Sequence, residues 1–325
     1  MPDILISEGV QGAALAELRS RFDVLYQPEL WKTPDLLAER IRDCRALIVR
    51  NQTPVTAALI DAARQLVVIG RAGVGLHNVD AKHAEQVGIV VAFTPDQNAI
   101  SVAELAIGMM LSLARFIPAA DQDTKNGNWN RHKYVGTELY VKTLGIVGAG
   151  KIGYLTARRA MAFGMRVLAY DPFLSQDNIL LSEIQAELVE LDDLLARADV
   201  VSCHLPATPQ TKGLLNAARF AKMKPGAFFI NTSRGKVVCE TDLTDALKSG
   251  VIGGAALDVR SKEPPVPSEL ETMSNVILTP HIAAFTREAQ DRVTHAIFED
   301  VSRVLEGKSA LNAVHSNTPR RLAAK

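Results

Sequence analysis

The segment Gly145–Gly153 reads GIVGAGKIG, and Gly148, Gly150 and Gly153 stand in GxGxxG spacing. The triplet gains its meaning from its neighbours. An apolar run, Leu144–Val147, precedes it, and a helix-forming stretch, Ile152–Phe163, follows. A second apolar run, Arg166–Tyr170, ends in Asp171, 18 residues after Gly153. Strand, glycine turn, helix, strand and acid at these distances describe a βαβ unit that holds a dinucleotide. Gly148 permits the tight turn, Gly150 lets backbone approach a pyrophosphate, and Gly153 lets helix and strand pack closely. The helix N-terminus offers unpaired N–H groups and partial positive charge to phosphates. Asp171 is placed for ribose hydroxyls and would repel a 2′-phosphate. No Arg follows within 172–175. NAD is therefore expected rather than NADP.

The pattern around this unit is α/β throughout. Apolar runs at Ile4–Ser7, Asp23–Tyr26, Ala46–Arg50, Val67–Gly70 and Ile89–Phe93 alternate with amphipathic stretches such as Ala13–Arg21, Pro34–Arg42 and Val55–Ala63. That alternation predicts a parallel sheet with helices on both faces. Ser101–Phe116 reads as one long helix, apolar enough to be buried all round. Residues 117–142 follow without a clear core element, too long for a plain connection, and are expected to form an arm, a lid or an oligomer contact. A second α/β series then runs through Leu144–Gly148, Arg166–Tyr170, Val200–His204, Ala227–Asn231, Gly253–Asp258 and Val276–Leu278, with a closing amphipathic helix at Arg287–Leu305. At 325 residues, two domains are expected. The last residues of the basic tail are expected to be disordered.

Composition narrows the function classes. Hydrophobic residues make up 47% and charged residues 22%, the balance of a globular enzyme. Lys+Arg and Asp+Glu both number 36, so nothing pulls the chain as a whole toward nucleic acid or an anionic membrane. No apolar run reaches the ~18 residues of a membrane span. Asp3 and Glu8 stand where a signal peptide would carry Lys or Arg. Cys44, Cys203 and Cys239 form no CxxC pair, so reduced, buried thiols in a cytoplasmic protein are expected, with no metal site.

Three ionisable residues fall at or just past the ends of later strands, where open α/β sheets bind ligands. They are Arg234 in NTSRG, Glu263 in DVRSKEPP and His281 in TPHIAA. Hydride transfer to a 2-oxo acid needs a cation for the carboxylate and carbonyl, an acid for the forming alkoxide, and a group that tunes that acid. Arg supplies a planar fork, His titrates near neutrality, and a carboxylate on the other ring nitrogen favours imidazolium.

With these pieces, the chain resembles the D-isomer-specific 2-hydroxyacid dehydrogenase family from its first strand to about Asn312. The motifs are GRAGVGLHNVD (70–80), VAELAIGMML (102–111), GIVGAGKIG (145–153), YDP (170–172), HLPATPQTKGLLN (204–216), NTSRG (231–235), AALDV (255–259), EPP (263–265) and PHIAA (280–284). The resemblance implies two doubly wound parallel-sheet domains. One is a flavodoxin-like substrate domain of 1–98 plus 285–325; the other is a Rossmann NAD domain of 99–284 with a dimerisation arm at about 117–142. It implies Arg234 as substrate binder, His281 as acid/base and Glu263 as its partner. The Gly73–Val74–Gly75 backbone would cradle the substrate carboxylate, and Asp258 the nicotinamide carboxamide. Lys151, Ile152, Leu205, Thr232, Ser233, Arg234, His281 and Ala284 would line the cofactor. Homodimers or homotetramers are implied. His77, Cys239 and Ala283 depart from the usual Asp, Asp and Gly, and none removes a catalytic group. Formate dehydrogenases of the superfamily pair the histidine with Gln, so Glu263 favours a hydroxy acid.

Within the family the nearest resemblance is to the D-3-phosphoglycerate dehydrogenase branch, through IVRNQTPVT (48–56), GRAGVG (70–75) and GNWNRHKYVGTEL (127–139). This implies Arg50 and Arg71 on the substrate side, with Arg131 and Lys133 from a neighbouring subunit, around an anionic tail. The alternative is that these four are ordinary surface charges. Phosphate and sulfonate tails would need the same cations, so 3-sulfolactate stays open beside 3-phosphoglycerate. A glyoxylate/hydroxypyruvate reductase would not need them, and an NAD-sensing corepressor shares the fold. The sequence ends soon after the returning helix, so serine feedback through an appended regulatory domain is not expected.

Overall fold

The computed structural model describes residues 2–10 and 14–319. The chain divides into two compact units, Met1–Asn98 with Phe285–Lys325, and Ala99–Ala284. The residues expected to be disordered at the C-terminus, and Ala13 of the first expected helix, lie outside the described residues.

The first unit is built on strands β1 (Ile4–Ile6), β2 (Val24–Tyr26), β3 (Ala46–Val49), β4 (Val68–Arg71) and β5 (Val90–Phe93). They pair in parallel in the order β2-β1-β3-β4-β5, the flavodoxin-like arrangement. These short strands are almost wholly apolar because helices cover both faces. Ile4, Ile6, Ile48 and Val68 face one way, onto Ile297, Phe298 and Val301 of the helix Arg287–Leu305. Leu5, Leu47 and Ile69 face the other way with Ile41 and Ile60. Gly70 permits the close approach of that last helix: a Cβ there would lie 2.7 Å from Val301 Cγ2. Beyond the helix the chain returns to the sheet edge, where Ala313 bridges Ala92 in antiparallel sense. Asp300, fully buried, holds this return by accepting from the Leu311 and Asn312 amides.

The second unit carries β6 (Thr143–Val147), β7 (Arg166–Tyr170), β8 (Glu187–Leu188), β9 (Val200–Cys203), β10 (Ala227–Asn231), β11 (Ile252–Leu257) and β12 (Val276–Leu278). The order β12-β11-β10-β9-β6-β7-β8 is wholly parallel. It is the Rossmann 3-2-1-4-5-6 sequence with one further strand. Strand order reverses between β6 and β9, so the ends of these two strands form the switch point where such sheets bind ligands.

Two expectations change and one gains detail. The helix Ala99–Ala114 is not buried all round; Ile100, Glu104 and Gly108, spaced four apart, form an exposed stripe, and Glu104 pairs with Arg159 at 3.0 Å. The stretch 117–142 contains a helix, Ile117–Lys125, and a 3-10 turn, Arg131–Tyr134, neither with a buried residue. Cys44 and Cys203 are buried, but Cys239 is only half-buried, beside Thr241 Oγ1. Among the described residues no single helix is long and apolar enough to cross a membrane.

Candidate active site

The glycine turn follows β6 directly. Gly148 sits at φ +95°, a left-handed conformation open to glycine, and its amide donates to the Tyr170 carbonyl of β7. The helix Lys151–Met161 starts immediately after Gly150. A Cβ on Gly153 would lie 2.3 Å from the Gly148 carbonyl oxygen, so only glycine allows this helix to close on the turn. Asp171, at the end of β7, accepts from the Ala149 amide at 3.0 Å and from the Phe173 amide at 3.0 Å. The acid thus braces the turn and has lone pairs to spare.

The three ionisable groups come from the turns after β10, β11 and β12. His281 Nδ1 and Glu263 Oε2 are 2.6 Å apart. The other Glu263 oxygen accepts from the Arg260 amide at 3.0 Å. The bond to Glu263 raises the His281 pKa above the ordinary value, with further support from the charges of Glu263 and Asp258; burial and the charge of Arg234 oppose it. Burial pushes Glu263 up, but the bonds from His281 and the Arg260 amide and the charges of His281 and Arg234 outweigh it and hold the carboxyl below its ordinary value. Arg234 is lowered by burial, against the charge of Glu263. Each group therefore acts on the other two, and the structure brings them together. Arg234 donates from Nη1 to its neighbour Ser233 at 2.6 Å, and its carbonyl accepts from Asn231 Nδ2.

Asp258 does more locally than the sequence suggested. It is 1% exposed, and its carboxylate accepts from Thr279 Oγ1 at 2.5 Å, Ile282 N at 2.8 Å and Ala283 N at 2.9 Å. Its carbonyl also accepts from the His281 amide at 2.8 Å. His281 is one of the few non-glycine residues at positive φ, +56°, and Asp258 wraps the turn that holds it there. Three of about four carboxylate acceptor positions are thus spent on the turn, leaving one open. The Ser233 hydroxyl bonds Asn231 Oδ1 at 2.7 Å and Cys203 Sγ at 3.5 Å, which ties it to the turn after β10.

In the first unit the turn after β3 is clamped from two sides. Glu8, 3% exposed, accepts from the amides of Arg50, Asn51, Gln52 and Thr53 at 2.9, 3.2, 3.0 and 2.8 Å. Asn78 Nδ2 donates to the carbonyls of Arg50 and Thr53. Neither clamp was among the site residues expected from sequence. Arg50 is half-buried. Its Nη1 donates to the Gly9 carbonyl at 3.2 Å, its Cζ lies 5.2 Å from the Phe285 ring centre, and burial lowers its pKa. Arg71 is only 8% exposed and lies against Gly73, where a Cβ would meet Arg71 Nη1 at 1.7 Å. Val74 and Gly75 follow in the same loop. Arg131 and Lys133 are exposed on the 3-10 turn of the second unit, and Lys133 pairs with Asp123 at 3.5 Å.

Residues 107–283 match the family model "D-isomer specific 2-hydroxyacid dehydrogenase, NAD binding domain". The chain belongs to the D-isomer specific 2-hydroxyacid dehydrogenase family. Like its family domain, the second unit is an NAD-binding domain. The chain is 43% identical over 313 residues to D-3-phosphoglycerate dehydrogenase of Archaeoglobus fulgidus, covering 96% of this chain and 59% of that protein. It is 43% identical over 315 residues to the enzyme of that name from Synechocystis, covering 97% and 56%. The chain thus spans a little over half the length of these curated relatives. A crystal structure of a protein from Thermus thermophilus superposes with a TM-score of 0.89 at 34% identity, covering 96% of this chain and 99% of that one.

The residues present fit the dinucleotide. No atom lies within 4 Å of where a Gly150 Cβ would stand, so the turn opens onto free space. The Thr232 hydroxyl is buried with no partner in the protein, as expected of a group kept for a ligand. Leu205, 7% exposed, lies at 3.0 Å from a Gly148 Cβ and forms one wall of the turn.

Proposed function

We propose that the protein is an NAD-dependent dehydrogenase of a D-2-hydroxy acid with an anionic tail, interconverting 3-phosphoglycerate and 3-phosphohydroxypyruvate. The observation that carries this reading is the 2.6 Å bond between His281 and Glu263 with Arg234 charge-coupled to both. Arg234 binds the carboxylate and polarises the carbonyl through its planar fork. The Gly73–Val74–Gly75 backbone cradles the same carboxylate. His281 Nε2 takes the hydroxyl proton in oxidation and returns it in reduction. Glu263 keeps Nδ1 protonated and the ring oriented. NAD would supply the hydride acceptor for the substrate carbon. Gly148, Gly150, Gly153, Lys151, Ile152, Leu205, Thr232, Ser233, Asp258 and Ala284 would hold it, and Asp171 would favour it over NADP.

Arg50 and Arg71 are the proposed tail cations of one subunit, with Arg131 and Lys133 reaching the site of a neighbour. This makes the protein a homodimer or larger oligomer paired through 117–142, where Trp129, Val135 and Tyr140 are 78%, 76% and 65% exposed. We also take it to be cytoplasmic; its free cysteines support this. The test is a panel of 3-phosphoglycerate, 3-sulfolactate, glycerate and lactate with NAD and NADP. The expected result is a preference for the anionic-tail acids that Arg50→Ala reduces by at least about tenfold in kcat/KM, the worth of one lost charge-assisted hydrogen bond. Equal activity on glycerate and lactate, unchanged by that substitution, would remove the tail from the reading. A turnover-free protein whose NAD binding changes with a protein partner would favour the corepressor alternative.

The pKa directions fix the pH dependence. Oxidation needs neutral imidazole and reduction needs imidazolium. Because His281 is raised above 6.5, oxidation is expected to climb as pH rises through a midpoint above that value, while reduction falls through the same midpoint. Profiles of kcat/KM in both directions check this. Two limbs running the same way would exclude His281 as the shared acid/base.

A further inference from the structure

We infer that Arg260 is a positioning residue that sets the geometry of the Glu263–His281 pair, acting through the backbone of 260–263; this rests on the function proposed above. Arg260 is a cation only 9% exposed, beside the site but outside the three groups given chemical roles. Its Nε and Nη2 donate to Glu240 Oε2 at 3.1 and 3.0 Å, its Nη1 to Glu271 Oε1 at 2.5 Å, and its Nη2 also to Ser268 Oγ at 3.2 Å. All three partners are tied down in turn. Glu240 begins the helix Glu240–Lys248, and Ser268 and Glu271 form a capping box on the turn Glu269–Thr272.

The network grips the backbone that faces Glu263. The Arg260 amide donates to Glu263 Oε1, and the next amide, Ser261, donates to Glu240 Oε1. One carboxylate, Glu240, therefore holds both the guanidinium of Arg260 and the peptide beside it. On the other side the segment lies against the turn carrying Arg234: a Cβ on Gly235 would stand 2.0 Å from the Arg260 carbonyl carbon and oxygen. Arg260 thus fixes a short stretch that touches both the acidic partner of the imidazole and the turn of the substrate-binding guanidinium. The planar fork, satisfied on both edges, gives this stretch one orientation; an ammonium at the same place could not.

A substitution here should act on chemistry through Glu263. His281 is faced by Glu263, Asp258 and Arg234. Loosening only the first of these lowers the imidazole pKa and leaves the dinucleotide turn untouched. The variants Arg260→Lys, Glu263→Gln and their combination, with Glu271→Gln as a variant that leaves Arg260 paired to Glu240, would be assayed with 3-phosphoglycerate and NAD. NAD affinity by fluorescence titration reports that the second unit remains folded. Arg260→Lys is expected to lower kcat by about 10- to 100-fold, as loss of an orienting contact does, to move the pH midpoint downward, and to leave NAD affinity within about twofold of the parent. Glu271→Gln should do the same more weakly. In the Glu263→Gln background Arg260→Lys should add little, because the group it positions is already changed. Full additivity in the double variant, or unchanged kcat and midpoint in Arg260→Lys, would overturn the inference. If Glu263→Gln alone changes neither kcat nor midpoint, the proposed role of Glu263 falls and this inference falls with it.

Discussion

His281→Asn is expected to reduce turnover by ~10²–10⁴, the contribution of a positioned general acid/base. Asparagine is chosen because position 281 sits at φ +56°, and asparagine tolerates that region better than most residues. The Asp258 clamp grips backbone atoms of the turn, which the substitution leaves in place. The fold and NAD affinity should therefore persist while proton transfer is lost. Steady-state kinetics with the preferred acid, beside thermal melting and NAD titration of the same preparation, make the comparison. Turnover within about tenfold of the parent would show that the proton travels by another route.

Glu8→Gln carries the largest expected effect on stability. The Glu8 carboxylate, 3% exposed, collects four consecutive amides. A carboxamide has one acceptor oxygen and presents an NH₂ group to donors. Hydrogen bonds to charged groups contribute about 1.5–3 kcal/mol each. Two of the four, those to Asn51 and Gln52, lie on residues that water reaches. A loss of about 3 kcal/mol is therefore expected, lowering the melting temperature by roughly 6–12 °C for a unit of this size. Because the same amides shape the turn that begins at Arg50, KM for anionic-tail acids should rise as well. A melting temperature within about 2 °C of the parent would mean that water replaces the carboxylate without cost.

The glycine turn, Arg234, Glu263 and His281 were legible in the sequence because each stands at a fixed place on a strand end, and strand ends show as apolar runs. Asp171 was legible for the same reason. The strands followed from alternation, apart from β8, which is only two residues long, while their division into two sheet domains came from the family resemblance. What escaped was chemistry in which one partner is backbone. Glu8 and Asn78 bind amides and carbonyls that look alike in every sequence, and Arg260 pairs with Glu240, Ser268 and Glu271, partners that become known only once the chain has folded. The carboxylate of Asp258 was noticed as a ligand group, yet most of its capacity goes to the turn bearing His281. The exposed stripe at Ile100, Glu104 and Gly108 was hidden because one apolar residue and one glycine mask it in a strongly apolar helix.

The first unit is discontinuous, and Ile297, Phe298 and Val301 supply one side of its core. During synthesis its first 98 residues leave the ribosome with β1, β3 and β4 only partly covered on that side, by residues such as Val10 and Leu18. The intervening 186 residues, 99–284, must be translated before the closing helix appears. At ~5–20 residues per second that interval is on the order of ten seconds or more. The later-made unit, whose core is continuous, is able to finish folding first. The nascent amino-terminal sheet meanwhile waits for Ile297, Phe298 and Val301 to complete its core, which reverses the usual order of vectorial folding.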